Sequence, residues 1–336
     1  MEIVTIRDVA KTAGVSISTV SRVLNNRPDV GVDTKQKVLK VVKELGYVRN
    51  TSAASLKQLQ TDFVAVVLRG RRNIFLMDLA ERILEIGKEK NIRFLTEIID
   101  EKADEFEAVR RLYMERKLTG VIFLGSKLTN HEKEAEELDL PCVFASIEAS
   151  FLKGTHISSV SVDNFKAGKA VMDRLISLGH KSIALLGYFG PISDATGQRL
   201  YGAKSSMEEH GIEFNPLLYE ECDFTLPSSY AAMSHVLDNN IKFSAVFASS
   251  DIIAIGAMKA LSDRGLDIPK DVSVIGFDGI EQSAYTIPSL STVMQPSQEM
   301  ASKAVDLLID ALEGKKGRHI RVLPKWIEGQ SVRSIE

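Results

Sequence analysis

Ser18, Ser21, Arg22 and Asn25 stand at i, i+3, i+4 and i+7, so one helical face carries short polar side chains beside a guanidinium. That is a surface for reading base edges. Short polar side chains let a helix approach the floor of the DNA major groove, and Arg22 can make the bidentate pair that guanine presents there. Ser16, Ile17 and Thr19, at the start of the same helix, extend the surface offered to a duplex. Val20, Val23 and Leu24 fall on the opposite side, where they can pack. The competing reading is a small capped helix pair with a solvated polar face.

The elements needed to hold that face are legible on either side of it. Thr5 stands three residues before Asp8 as a capping box, and Ile6, Val9, Ala10 and Ala13 recur at helical spacing, which predicts a short amphipathic helix from Ile6. Gly14 ends it, because the residue past a helix end takes a positive φ that glycine adopts without strain. Ser16 then caps the second helix while Val15 staples onto Val20. A third helix follows, with Val38, Val41, Val42 and Leu45 as its apolar stripe, Asp33 or Thr34 as its cap and Gly46 as its stop. Up to Gln60 the chain has ten Lys/Arg against five Asp/Glu, a balance of +5, and the remainder carries 32 against 40. The overall net charge of −3 hides a basic head suited to phosphate, joined to an acidic body.

GVSISTVSRVLNN, then TKQKVLKVVKELGY and NTSAASL, resembles the lactose repressor (LacI/GalR) family of bacterial transcription regulators. In that family the segment after the third helix becomes a short hinge helix on DNA, and a leucine of that helix wedges into the minor groove. The resemblance gives Leu56 that role and adds Asn50 and Ala53 to the DNA-contacting set. Small residues at Ala53 and Ala54 would let two such helices cross closely, and an apolar wedge can kink a base step. An ordinary polar linker is the alternative. Arg49 stands where family members commonly have proline, and it offers a phosphate contact instead of stiffness.

Behind this head lie more residues than one typical domain needs. FVAVVL at Phe63 is a short apolar run of buried-strand type, and GVIFLG, PCVFAS, KSIALLG, SAVFAS and DVSVIGF repeat it between helical segments. Such alternation predicts parallel sheets with helices on both faces. Strand starts near 63, 92, 120 and 141 are echoed near 182, 218, 244 and 272, which predicts two similar doubly wound lobes in tandem. Open parallel sheets collect ligands outside the carboxyl ends of their strands. The residues there are Asn73, Phe75, Ser146, Arg199 on the loop after KSIALLG, Phe224, Ser250, Asp251 and Asp278, a polar ring with aromatic walls.

The family resemblance covers essentially the whole chain and implies a periplasmic-binding-protein-like body with three crossovers, near Val162, Thr292 and Pro324. The expected organisation is therefore a helix-turn-helix domain over 1–48, a hinge over 49–61 and a two-lobed effector-binding and dimerisation domain over 62–336. One lobe is 62–162 with 293–323 and the other 163–292 with 324–336. Arg199 and Asp278 match positions that contact effector in the family, and Phe224 matches an aromatic that packs on a sugar ring. A surface salt bridge and a core aromatic are the alternatives. Ser146 replaces an aspartate common in sugar-responsive relatives and Ser250 an asparagine, so hydroxyl contacts there are absent or bridged by water. Inward-pointing Arg71 or Arg72, in the RGRR run from Arg69, would suit a phosphorylated sugar, whereas a solvated loop is the ordinary fate of such a run.

No phosphate-cradling glycine loop, nucleophile elbow or zinc-spaced His/Cys pair occurs, and the six histidines are scattered, so neither catalysis, a metal nor a cofactor is expected. Two cysteines, a DNA-reading N-terminus and the lack of any apolar run near 18 residues predict a cytoplasmic protein with no membrane association. The expected partners are double-stranded operator DNA, a small effector, a sugar or sugar phosphate, and a second copy. A dimer is expected because the chain stops ten residues after Trp326, short of a heptad tail. Control by a corepressor or partner protein, or a sugar-binding protein with no DNA role, are the alternatives.

Overall fold

The computed structural model describes residues 6–24, 31–45, 62–129, 131–191 and 194–335. The chain forms two compact units, Met1–Thr61 and Asp62–Glu336. In the first, α1 (Ile6–Ala13), α2 (Ile17–Leu24) and α3 (Val32–Glu44) enclose a core of Val9, Ala10, Ala13, Val20, Val23, Val38 and Val41. Gly14 takes φ +64°, and the turn is closed by the Val15 N–H donating to the Ala10 carbonyl at 3.1 Å. Val15 packs against the same core. The third helix starts earlier than its sequence suggested. Gly31 is its N-cap residue, with no side-chain cap, so Asp33 and Thr34 sit inside the first turn, where Asp33 complements the helix dipole.

The second unit contains two six-stranded sheets. The first is built on β1 (Phe63–Arg69), β2 (Phe94–Ile99), β3 (Leu118–Leu124), β4 (Cys142–Ala145), β5 (Ile157–Val162) and β11 (His319–Val322), in the order β2-β1-β3-β4-β5-β11, all parallel. The second uses β6 (Ile183–Leu186), β7 (Tyr219–Glu220), β8 (Ala245–Ala248), β9 (Ser273–Asp278), β10 (Ser291–Met294) and β12 (Lys325–Ile327), in the order β7-β6-β8-β9-β10-β12. Only the β10–β12 pair in it is antiparallel. Each is a doubly wound sheet whose order reverses once, between β1 and β3 and between β6 and β8.

Successive residues of β1 point to opposite faces, so Val64, Val66 and Leu68 join one core while Ala65 and Val67 join another. Helices α4 (Ile74–Glu89) and α11 (Ser297–Leu312) cover the first face, and α5 (Glu105–Glu115) and α6 (Glu132–Glu136) the second. In the other lobe α7 (Asn164–Ser177) and α8 (Ala195–Glu209) pack on one face, with α9 (Leu226–Asp238) and α10 (Asp251–Asp263) on the other. The chain passes between sheets after β5, after β10 and after β11. Val293 and Met294 pair within the second sheet, slightly beyond the crossover expected at Thr292, because β10 completes its ladder with β9 before the chain leaves.

Candidate functional site

The head unit presents α2 with two distinct faces. Val20 and Val23 are buried, whereas Ser16, Ser18 and Arg22 are exposed and Ser21 and Thr19 are half-buried. Ile17, an apolar residue, is 46% exposed. The Thr19 backbone N–H donates to Ser16 Oγ at 3.1 Å, which is the cap the sequence called for. The same hydroxyl lies 2.7 Å from Ser18 Oγ and 2.8 Å from Thr19 Oγ1, so hydroxyl groups cluster where the helix N-terminus favours a phosphate. Thr5, Asn25, Asn50, Ala53 and Leu56 lie outside the described residues, as do Gly46, Arg49 and Ala54.

In the body unit, a cleft of about 320 Å³ opens at the carboxyl ends of both sheets, beside the two points where strand order reverses. Asn73, Phe75, Ser146, Arg199, Phe224 and Asp278 all line it. Ser250 does not. Its hydroxyl accepts the Ile253 N–H as the cap of α10 and the residue is fully buried, so the orphan amides of that helix hold it away from the cleft. Asn73 is also a cap, its Oδ1 accepting the Leu76 N–H at 3.1 Å, yet it remains at the cleft wall.

Arg199 sits inside α8 rather than on the loop expected from the sequence, and is only 4% exposed. Gly168 of α7 lets the helices touch there, since a Cβ at that position would lie 1.9 Å from the Arg199 carbonyl oxygen. From this seat Arg199 Nε donates to Asn164 Oδ1 at 2.9 Å, and Nη1 donates to the Ser249 carbonyl at 2.7 Å and to Asp278 Oδ1 at 3.2 Å. The guanidinium lies over the Phe277 ring, 3.8 Å from its centroid. Asp278 is held at φ +114° and Ser146 at φ +79°, both at strand ends, a backbone conformation L-residues enter only under constraint. Burial pushes the Asp278 carboxyl up to about 6, opposed by Arg199 and by the Gln295 amide, which donates to it at 2.8 Å. Behind it Asp251 accepts the Thr292 hydroxyl at 2.5 Å and the Ile280 N–H at 2.8 Å. Burial and the neighbouring Asp278 charge push Asp251 to about 8.

Arg71 and Arg72 are exposed and absent from the cleft wall, which is the solvated-loop outcome for the RGRR run. Arg69 lines the cleft but is committed to its own lobe, through Glu105 at 3.0 Å and the carbonyls of Glu101 and Ala103 at 2.9 and 2.7 Å. Ser126, Lys127, Tyr188, Asp194 and Gln295 also line the cleft. Ser126 follows GVIFLG, so the strand-end rule reaches it once applied to β3. Gln295 follows β10, whose STVM lacks the continuous apolar run that marks the other parallel strands, and Asp194 stands at the N-cap position of α8.

Residues 5–50 match the family described as bacterial regulatory proteins, lacI family, and residues 172–332 match a periplasmic binding protein-like domain. The HTH-type transcriptional regulator MalR of Clostridium butyricum is 33% identical over 334 residues, covering 98% of this chain and 99% of its own. The chain belongs to the LacI family. Among solved structures, the Lac repressor dimer bound to operator and the anti-inducer ONPF is similar at a TM-score of 0.77 and 25% identity, covering 99% of this chain and 100% of that one. The transcriptional regulator CelR in complex with cellobiose matches at a TM-score of 0.71 and 28% identity, covering 98% and 99%. This LacI-family member is thus a transcription regulator rather than an enzyme, with a helix-turn-helix head and a periplasmic-binding-protein-like body. Among its described residues no helix is long and apolar enough to cross a membrane.

Proposed function

We propose that the protein is a cytoplasmic repressor of a carbohydrate-utilisation operon, binding a nearly palindromic operator as a homodimer and governed by a sugar or sugar phosphate in the cleft. The observation that carries this reading is the cleft itself, where a buried Arg199–Asp278 pair offers donors and an acceptor side by side between aromatic walls. On the DNA side the exposed face of α2, with Ser16, Ile17, Ser18, Thr19, Ser21 and Arg22, enters the major groove, and Thr5 and Asn25 flank it. Asn50, Ala53 and Leu56 supply the hinge contact. Asn73, Phe75, Ser146, Arg199, Phe224 and Asp278 hold the effector, and Ser250 acts on it only through the helix it caps.

A dimer is supported by large apolar side chains left exposed on the body, among them Met77, Ile98, Tyr285 and Ile287. Two-fold symmetry then requires two half-sites about one helical turn, or a multiple of it, apart. The DNA claim is tested by anisotropy titration of an operator duplex and a scrambled duplex at physiological salt. Arg22→Ala is expected to cost about 1–3 kcal/mol on the operator and much of the discrimination between the two. Equal affinity for both duplexes in the wild type would refute the proposal.

A further inference from the structure

We infer that the cleft takes an uncharged polyhydroxy ligand, a neutral sugar, and rejects its phosphorylated form, with Asp194 accepting a ligand hydroxyl. The inference rests on the reading of the cleft as the effector site and narrows it.

Charge decides against phosphate. The charge of each arginine in the wall is already matched by a buried carboxylate, Arg69 by Glu105 and Arg199 by Asp278. Of the other charged groups lining the cleft, Lys102 and Lys127 are outnumbered by Glu101, Asp194, Glu221 and Asp223. Lys127 in turn lies 5.4 Å from the centre of the Tyr188 ring and is drawn to Asp194. A phosphate dianion would enter a cleft with more carboxylates than cations, and like charges in such a space repel strongly. Arg71 and Arg72, the groups that could have reversed this balance, are exposed and are not among the residues lining the cleft.

Hydrogen-bonding capacity decides for hydroxyls. Among the described residues, Asp194 Oδ1, Gln295 Oε1 and Arg69 Nε have no partner, although these cleft-lining residues are only 6%, 2% and 7% exposed. Buried polar atoms are paired in nearly all folded proteins; two of these three can only accept and one can only donate, and a hydroxyl serves both. Gln295 is oriented by donating its amide to Asp278, which leaves its carbonyl free. Asp194 departs from the behaviour of its neighbours in the fold. Asn73, Asp104, Asp163, Thr225 and Ser250 each bend back to cap the helix they precede, whereas Asp194 occupies the same position before α8 and makes no cap. A carboxylate that forgoes its cap is available to a ligand. Burial holds it above the usual carboxylate range, with Lys127 and Arg69 pulling it back. Phe75, Tyr188 and Phe224 supply flat apolar walls for the C–H faces of a sugar ring.

The test is calorimetry and thermal shift on the full chain with matched pairs: glucose and glucose 6-phosphate, ribose and ribose 5-phosphate, maltose and maltose 6′-phosphate, cellobiose and cellobiose 6-phosphate, with inorganic phosphate alongside. At least one neutral sugar is expected to bind, at least tenfold more tightly than its phosphate. Asp194→Asn keeps the size of the side chain and remains competent as a cap, and it should weaken the neutral sugar by about ten- to a hundredfold while narrowing its advantage over the phosphate. A phosphate that binds more tightly than its parent sugar overturns the inference and leaves the effector reading standing, as does Asp194→Asn binding both forms like the wild type. Failure of every compound, in protein that still binds operator, overturns the sugar-effector reading itself.

Discussion

Arg69 and Arg199 face one cleft from opposite lobes, each almost fully buried and each paired with a carboxylate, and the partners are placed differently. Glu105 lies behind Arg69, on the helix packed against the sheet, and does not reach the cleft wall. Asp278 stands beside Arg199 on that wall, at a strand end with strained backbone. The first pair therefore closes a loop: Arg69 ties the 101–103 turn to the end of β1. The second pair is turned outward and can exchange part of its hydrogen bonding for a ligand's. Burial raises both carboxyls above their ordinary range, and in both cases the arginine opposes the rise. Under the proposed function, placement, rather than burial or charge, separates a structural pair from a binding one.

The largest effects should come from splitting these pairs. Arg69→Met leaves Glu105 buried without its cation and is expected to cost about 3–5 kcal/mol of stability by denaturant unfolding. Arg69→Met combined with Glu105→Gln should recover much of that loss and bind the neutral sugar within about threefold of wild type. Arg199→Met combined with Asp278→Leu should recover stability likewise but lose sugar binding altogether. Loss of sugar binding by the first double variant to the same degree would erase the distinction between the pairs.

A smaller effect concerns the acid behind Asp278. Asp251 titrates near 8 in the folded chain, above its unfolded value of about 3.9. The folded state thus holds the proton more tightly, and the stability this contributes is complete below about pH 4 and declines as pH rises, ending above about 8. Asp278 adds a similar decline that ends near 6. Between pH 6 and 8.5 the wild type should lose melting temperature and Asp251→Asn should lose less, a difference on the order of a few kcal/mol. Identical slopes for the two proteins would remove Asp251 from this account.

These two regions also mark what could be read from sequence. The head was legible because each device is local: a staple, a glycine at positive φ and a cap within a few residues of one another. Parallel strands such as β1 and β3 announced themselves as apolar runs, and the strand-end rule then reached Asn73, Phe75, Ser146 and Asp278. What it missed has a physical cause. β5 lacks a continuous apolar run because Ser158, Ser159 and Ser161 interrupt it, yet all three are buried, since hydroxyls can be satisfied inside: Ser158 and Ser159 accept the Arg318 and Ala149 N–H groups. Ser250 was assigned to the cleft because it follows a strand, but it also precedes a helix, and capping took the side chain. Asp194 was missed for the converse reason, since an aspartate before a helix reads as a cap.

Under the proposed function, occupancy of the cleft sets operator affinity through the Arg199–Asp278 pair. The most direct measurement is operator affinity by anisotropy for the wild type and Asp278→Asn, each with and without the neutral sugar that stabilises the wild type. The wild-type affinity should shift by about five- to 150-fold, the range of a coupling of 1–3 kcal/mol. Asp278→Asn should bind operator within about threefold of the sugar-free wild type and show no shift. A full sugar response in Asp278→Asn would contradict the account and place effector control elsewhere in the molecule.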